Sequence, residues 1–477
     1  MKKLRYLCAL LLVLLILVVA RCLPIISGYG AKVLCSAVFV GGRNPDSAQK
    51  QDLGIFPFNL ARFTVDLRDS SVTGSVWGLA SSRAIFRRGL GAVLVNGLTE
   101  ADFRRQAARW TAQTPDSLLP TTTTLDTIDW PDGDRVKDTA PMSGLATVSP
   151  ISGLASTSSM SSLASASPMP GLASALDREI GAHGTRAIVV LYQGRLIGER
   201  YAPGFGPNTP LTGWSMTKSI TSALLGILVR QGKLNIDSAA PIAAWQNDDR
   251  GKITIRDLMR MRSGLRWWEF YFGPSRCTQM LFREKDMGGY AARSSLRHPP
   301  GTVFNYSSGA ANILSLLIRG AIDTSGYHRW PYEQLFHRIG MRHTVLEPDA
   351  GGTFVGSSYC YATARDWARF GLFYLHDGIW DGQRILPKGW VDAAKTGPGI
   401  YGALWWLNGG RWPRIPTDCF CADGYEGQYI CVIPSRDLVV VRLALDHTRA
   451  NPDRLVGDIL EALPTRGAGS ASVPTRN

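Results

Sequence analysis

The run Ile220-Thr221-Ser222-Ala223-Leu224-Leu225-Gly226-Ile227-Leu228-Val229 is apolar enough to require a helix buried in a sizeable core. It opens on Gly213-Trp214-Ser215-Met216-Thr217-Lys218-Ser219. Ser215 and Lys218, three residues apart, share one helix face a turn from each other. At the start of a helix, orphan N–H groups and the positive dipole end favour a developing oxyanion. Burial disfavours the charged form of a lysine, so a neutral amine there can take the serine proton. Ser215 and Lys218 are thus a candidate nucleophile and base. The same spacing recurs in Ser47-Ala48-Gln49-Lys50, but in a polar stretch that reads as a solvated surface turn.

Two later phrases add to the first. Pro299-Pro300-Gly301-Thr302-Val303-Phe304-Asn305-Tyr306-Ser307-Ser308-Gly309 is a loop running into the apolar helix signal Ala311 to Ile318. Tyr306 there can shuttle a proton between nucleophile and leaving group, and a nearby lysine ammonium is expected to lower its pKa. Downstream, Ala422-Asp423-Gly424-Tyr425-Glu426-Gly427-Gln428 leads into two β-branched strands joined by the short turn Ser435-Arg436-Asp437. Its glycines permit close backbone approach, as an edge strand needs to offer an N–H to a substrate carbonyl.

In this order the three elements resemble the serine β-lactamase and penicillin-binding-protein superfamily, over about residues 175 to 463. Ser215 and Lys218 match its Ser-x-x-Lys motif, and Tyr306-Ser307-Ser308 matches Tyr-x-Ser. Flanking phrases fit too: Ile253-Thr254-Ile255-Arg256-Asp257-Leu258-Met259 with Ser263-Gly264-Leu265, and Ala364-Arg365-Asp366-Trp367-Ala368-Arg369-Phe370-Gly371. Within the superfamily the Gly-x-x-Gly-Gln third motif is most similar to the 6-aminohexanoate-dimer hydrolase group. The resemblance implies an acyl-enzyme on Ser215, with Lys218 and Tyr306 as the acid–base pair. It also implies an oxyanion site at the N–H groups of Ser215 and Tyr425, next to Gly424. Ser308 would orient Lys218 and substrate, Gln428 would belong to the substrate site, and Tyr271 would be the loop tyrosine that closes over it. One departure stands out: where lactamases and carboxypeptidases place Lys or His, this chain has Ala422, then Asp423. An alanine cannot grip a substrate carboxylate and Asp423 disfavours an anion, so an amide or ester lacking that carboxylate is expected.

The amino terminus speaks to compartment. Met1-Lys2-Lys3-Leu4-Arg5 is basic, and Leu7 to Ala20 is unbroken apolar sequence. If Arg21 snorkels, the stretch reaches Ile26, long enough for an uncleaved anchor. Basic residues ahead of the run favour a cytoplasmic amino end. The expectation is an exported enzyme on the periplasmic face of the inner membrane, anchored, or else secreted after cleavage. The 52 Lys+Arg against 38 Asp+Glu are scattered rather than gathered in a patch, which gives no nucleic-acid signature. Of eight cysteines, Cys419 and Cys421 are candidates to pair with Cys277 or Cys360 in an oxidising compartment, and Cys431 reads as core. Two cysteines one residue apart, without a second pair, are poor zinc ligands, so neither metal nor cofactor is expected.

The organisation that follows is a signal anchor or signal peptide over 1–26, then an amino-terminal extension over 27–138, with a helix near Glu100 to Thr111, packing on the hydrolase. A Ser/Ala/Pro-rich linker with near-repeats such as Ser152-Gly153-Leu154-Ala155 covers 139–174, the hydrolase domain 175–465, and a disordered tail 466–477. Arg186 to Tyr192 and Arg195 to Tyr201, around Gln193-Gly194, read as a β-hairpin. Strands at both ends of the domain with helices between fit an α+β fold: an antiparallel sheet flanked by helices, with a helical subdomain, of β-lactamase/DD-peptidase type. A Ser-His-Asp hydrolase is disfavoured because no Gly-x-Ser-x-Gly elbow occurs. The alternative is a catalytically inactive protein that holds a peptide or cell-wall polymer in the same pocket.

Overall fold

The computed structural model describes residues 2–112, 127–136, 169–182, 184–271, 273–446 and 451–464. Helix α1 runs from Lys2 to Phe39 without interruption, and α2 (Pro45–Leu53) follows it, capped by Asn44. Four antiparallel strands come next in a meander: β1 (Ala61–Asp66), β2 (Ser71–Val76), β3 (Ala80–Arg87) and β4 (Gly91–Leu94). The second half of α1 lies along this sheet. Leu23 and Ile26 pack with Val76, Ser27 bonds Ser82, and Phe39 stacks near Phe86. At Gly30 a Cβ would fall 2.1 Å from the Phe63 ring, so only glycine lets helix and sheet approach this closely. Helix α3 (Glu100–Ala112) closes this amino-terminal unit.

Helix α4 (Pro170–Ile180) begins the second unit. Gln193 and Gly194 take φ of 51° and 71°, as a two-residue hairpin turn requires, and join β5 (Thr185–Tyr192) to β6 (Arg195–Tyr201). Helices α5 (Thr217–Arg230), α6 (Arg276–Arg283), α7 (Ser308–Gly320) and α8 (Ala364–Leu375) form the middle of the chain. Then come β7 (Trp406–Leu407), β8 (Phe420–Gly424), β9 (Gln428–Ile433), β10 (Leu438–Ala444) and α9 (Pro452–Ala462). The six strands form one antiparallel sheet in the order β7-β8-β9-β10-β5-β6. Alternation along β5 sorts the two cores: Val189 and Leu191 face α8 and the helical middle, while Ile188 and Val190 face α4 and α9. The α+β expectation is met by antiparallel sheets carrying helices on both faces.

Several boundaries differ from the sequence reading. The apolar helix does not stop at residue 26. Leu23, Ile25 and Ile26 are already buried in protein, and Tyr29, Leu34 and Cys35 continue into the main core. Hydropathy alone scores a core helix and a membrane helix alike, so any bilayer segment must lie upstream of Leu23. The linker also ends earlier than 174: Pro170 opens α4, whose Leu172 and Leu176, four apart, pack against β5, β6 and α9. Most of the linker, like the tail, lies outside the described residues. In the apolar run Ala403–Leu407, Trp406 and Leu407 pair with β8. Cysteine pairing is local: Cys421 and Cys431 face each other across β8 and β9 and form a disulfide, leaving Cys277, Cys360 and Cys419 as free thiols. Cys419 Sγ lies 3.7 Å from Cys421 Sγ.

The two units are tied by charge as well as by apolar surface. Lys32 on α1 is fully buried, pairs with Glu347, donates to Ser36 Oγ at 2.9 Å, and lies 4.2 Å from the Tyr359 ring centre. Glu347 accepts further bonds from Ser36 and from the Ala92 N–H of β4. Removing one partner strands the other in a medium that cannot solvate it. Lys32→Met is therefore expected to cost about 3–5 kcal/mol, read as a lowered urea midpoint at constant slope. Lys32→Met with Glu347→Leu should cost less than Lys32→Met alone, and the reverse order would remove the ion pair from this account.

Candidate active site

Ser215 lies in a tight turn, Trp214–Met216, that feeds directly into α5, so Lys218 sits one turn above it. From Thr217 to Leu228 every residue of α5 is buried. Lys218 Nζ donates to Ser215 Oγ at 2.8 Å, to Ser308 Oγ at 3.0 Å and to the Ser357 carbonyl at 3.0 Å. Two of these acceptors are held by α7. Ser308 is its first residue, beside the N-cap Ser307, and Asn312 Oδ1 and Ser315 Oγ accept from the Ser357 and Gly356 N–H groups. Burial drags the Lys218 pKa down to about 8, with the Glu269 carboxylate pulling the other way.

Tyr306 stands over this group. The Lys218 ammonium is 4.9 Å from its ring centre, so it meets the face of the ring. Tyr306 also stacks on Trp406 at 5.1 Å and meets Tyr401 edge-on at 5.9 Å. The expected lowering of its pKa does not occur. Burial pushes the phenol well above its usual value, Tyr401, Glu269 and Asp423 add to this, and a hydrogen bond with Ser215 opposes it. Tyr306 is thus a protonated phenol, and the group ready to lose a proton near neutrality is Lys218.

Glu269, which sequence reasoning passed over, is the hub of the site. Its carboxylate accepts from the Ser308 hydroxyl, the Ser308 N–H (2.9 Å), Trp267 Nε1 (2.7 Å), Tyr271 OH (2.9 Å) and Cys277 Sγ (3.4 Å). Ser308 links the two charges, accepting from Lys218 and donating to Glu269. The signal was the residue's setting: a carboxylate inside Trp267-Trp268-Glu269-Phe270-Tyr271 is costly to bury without several donors. Tyr271 also stacks on Tyr425 at 4.7 Å, which places it against the site.

The third motif reaches Ser215 through a close backbone approach. A Cβ on Gly424 would lie 2.2 Å from the Gly213 carbonyl oxygen, so β8 can approach the Ser215 turn only with glycine there. Trp214, in a left-handed conformation (φ 45°), is wedged between Tyr425 edge-on at 5.8 Å and Tyr29 of α1 stacked at 5.9 Å. Ser215, Lys218, Tyr306, Ser308, Gly424, Tyr425 and Tyr271 therefore converge. Gln428 does not join them: its buried amide donates to the Ala444 carbonyl and accepts from the Ala444 N–H at 2.9 Å. Its role is to pin β9 to β10, so the expected place in the substrate site is corrected. Ser47 and Lys50 lie exposed on α2, a solvated helix rather than a turn.

The sequence pattern of the family described as Beta-lactamase matches residues 173–461. The chain belongs to the beta-lactamase family. A 6-aminohexanoate-dimer hydrolase of Paenarthrobacter ureafaciens is 22% identical over 302 residues, covering 56% of this chain and 74% of that protein. A Bacillus anthracis structure described as a 6-aminohexanoate-dimer hydrolase superposes with a TM-score of 0.54 at 25% identity, over 61% of this chain and 83% of that one. A penicillin-binding protein homologue from Caulobacter crescentus gives 0.48 at 16% identity, over 62% and 97%. Like its hydrolase relatives, this beta-lactamase family member is a serine hydrolase.

With the Lys218 pKa near 8, the free-amine fraction grows from about one in eleven at pH 7 to about ten in eleven at pH 9. The rate at which Ser215 is acylated by a neutral activated ester should rise about tenfold over that range and level off above it. Because Glu269 favours the ammonium form, Glu269→Gln should move the midpoint of that profile to lower pH. A midpoint that stays put or rises would remove Glu269 from control of Lys218.

Proposed function

We propose that this enzyme cleaves an amide or ester bond through an acyl-enzyme on Ser215, in the manner of a 6-aminohexanoate-dimer hydrolase-like amidase or esterase. Neutral Lys218 takes the hydroxyl proton as Ser215 Oγ bonds to the acyl carbon. Tyr306 gives its proton to the leaving nitrogen or oxygen as the acyl bond breaks, and is reprotonated from Lys218. Water then attacks the acyl carbon, its proton passing to Lys218, and the acid leaves as Ser215 regains a proton. The N–H groups of Ser215 and Tyr425 hold the oxyanion. Ser308 and Glu269 fix the direction of the lysine. The observation that carries this reading is the buried Lys218 amine, titrating near neutrality 2.8 Å from Ser215 Oγ.

The substrate is proposed to be neutral or cationic where lactam substrates carry a carboxylate. Ala422 offers no cation, and the Asp423 charge reaches both Tyr306 and Tyr401, raising the pKa of each. The part of α1 ahead of Leu23 is proposed to hold the enzyme at a membrane as an uncleaved anchor, with the catalytic unit exported. Its uncharged residues 7–20 give about 21 Å of helix, and snorkelling of flanking residues with local thinning of the bilayer makes up the shortfall against a full span. A disulfide at Cys421–Cys431 suits an oxidising compartment.

Intact-mass spectra after brief exposure to a p-nitrophenyl ester should show one added acyl group in the wild type and none in Ser215→Ala. A folded wild type that neither gains mass nor releases nitrophenol would point instead to a binding protein. Asp423→Asn should raise kcat/KM for a carboxylate-bearing ester relative to its neutral counterpart by roughly tenfold, an electrostatic effect of about 1.4 kcal/mol. Unchanged discrimination would separate Asp423 from substrate choice.

A further inference from the structure

Four exposed apolar side chains of the amino-terminal unit gather at one end of its sheet, while Leu67, 66% exposed, stands at the other end. Phe56 is 76% exposed, Leu79 75%, Trp77 64% and Ile55 39%. Trp77 and Leu79 form the tip of the turn that joins β2 to β3, between the paired residues Val76 and Ala80. Ile55 and Phe56 lie just ahead of Phe58, which leads into β1 at Ala61, the partner of Val76. Both pairs therefore border one small core, in which Val76 packs with Leu23 and Ile26 of α1, and Val19, Phe58, Leu60, Ala61 and Ala80 surround them. Together they leave on the order of 500 Å² of side-chain surface uncovered, a size at which an apolar patch is often functional.

What covers this surface is indicated by the helix that leaves through it. Along α1 the contacts run from Phe39 beside Phe86 back to Leu23 beside Val76, at the Trp77–Leu79 end of the sheet. Upstream the same helix continues through residues 7–20, which contain no charged side chain. The apolar tips thus encircle the point where a long apolar helix emerges. Exposed Arg21 on the helix and exposed Arg62 on β1 lie at that level, where phosphate headgroups would meet them. Tryptophan is also the side chain best suited to a bilayer interface.

We propose that Ile55, Phe56, Trp77 and Leu79 form a bilayer-docking face, so that the catalytic unit lies against the membrane surface instead of swinging on its anchor. This rests on the anchored reading of α1. Because α1 passes unbroken from the apolar segment into the core, the face is held at a fixed height relative to the anchor. The bond is to acyl chains and headgroups, and no part of the catalytic machinery takes part.

The test uses the full chain reconstituted in phosphatidylcholine/phosphatidylglycerol vesicles with bromine placed high on the acyl chains. The fluorescence of Trp77 is obtained as the difference between wild type and Trp77→Phe, a variant expected to keep full acylation by a soluble ester. Docking predicts that at least half of this difference signal is quenched by the brominated lipid, and that Ile55→Ser with Phe56→Ser and Leu79→Ser weakens the quenching. An unquenched Trp77 in protein that stays with the vesicles through an alkaline carbonate wash overturns the docking face and leaves the anchor standing. Protein that washes off overturns both.

Discussion

A lysine amine removed from water governs the arrangement of the catalytic half of this molecule. A buried cation without partners costs several kcal/mol, so Lys218 must be met on every side where it can donate. Its three oxygen partners come from three places: its own helical turn, the first residue of α7, and the loop at Ser357. Since Asn312 and Ser315 of α7 also hold that loop, the position of one helix fixes two of the three. Sliding α7 by a residue would unseat Ser308 and the Ser357 carbonyl together. The same interaction that stabilises α5 against α7 therefore sets the direction of the amine, and Glu269 extends the demand to the loop carrying Trp267 and Tyr271.

The amino-terminal unit reaches into this arrangement rather than merely resting on it. Trp214 holds a left-handed backbone immediately before Ser215, a conformation of order 1–3 kcal/mol above the favoured ones for a bulky residue. Such a conformation persists only where the surroundings over-determine it. Tyr425 supplies one wall, and Tyr29 of α1 supplies another, itself stacked on Phe58 at 4.0 Å. The buried Lys32–Glu347 pair fixes α1 along its length in the same register. Residues 23–39 are in physical terms part of the hydrolase core, although the family pattern begins at 173.

What was legible in the sequence was local. Ser215 and Lys218 share one turn, so periodicity alone brought them together, and the Gln193-Gly194 turn declared its hairpin in the same way. Tyr306 and Gly424 needed the order of family motifs, because nothing in their own neighbourhoods distinguishes a catalytic phenol from a core one. For Glu269 the aromatic setting marked a carboxylate in need of donors but not its place in the site: the donors come from Trp267, Tyr271, Cys277 and Ser308, and only the fold assembles them. The Cys421–Cys431 pair was within reach, since a turn at Tyr425–Gly427 puts these residues opposite each other in a hairpin. The apolar amino terminus misled because transfer free energy does not distinguish lipid from protein interior as the destination.

The replacement of a motif cation by Ala422-Asp423 has a consequence beyond substrate charge. A lysine or histidine at the cleft edge would stabilise a phenolate at Tyr306 and make that residue a plausible base. Here burial raises both Tyr306 and Tyr401 well above the usual phenol range, and the negative charge of Asp423 adds to it rather than opposing it. A site proposed to turn away a carboxylate would also turn away a phenolate, because both are anions in the same field. In the proposed mechanism the role of base then passes to Lys218, which burial brings down to about 8 within reach of Ser215, and Tyr306 is left with a proton to give. The change at the third motif and the division of labour at the first two are therefore one electrostatic choice.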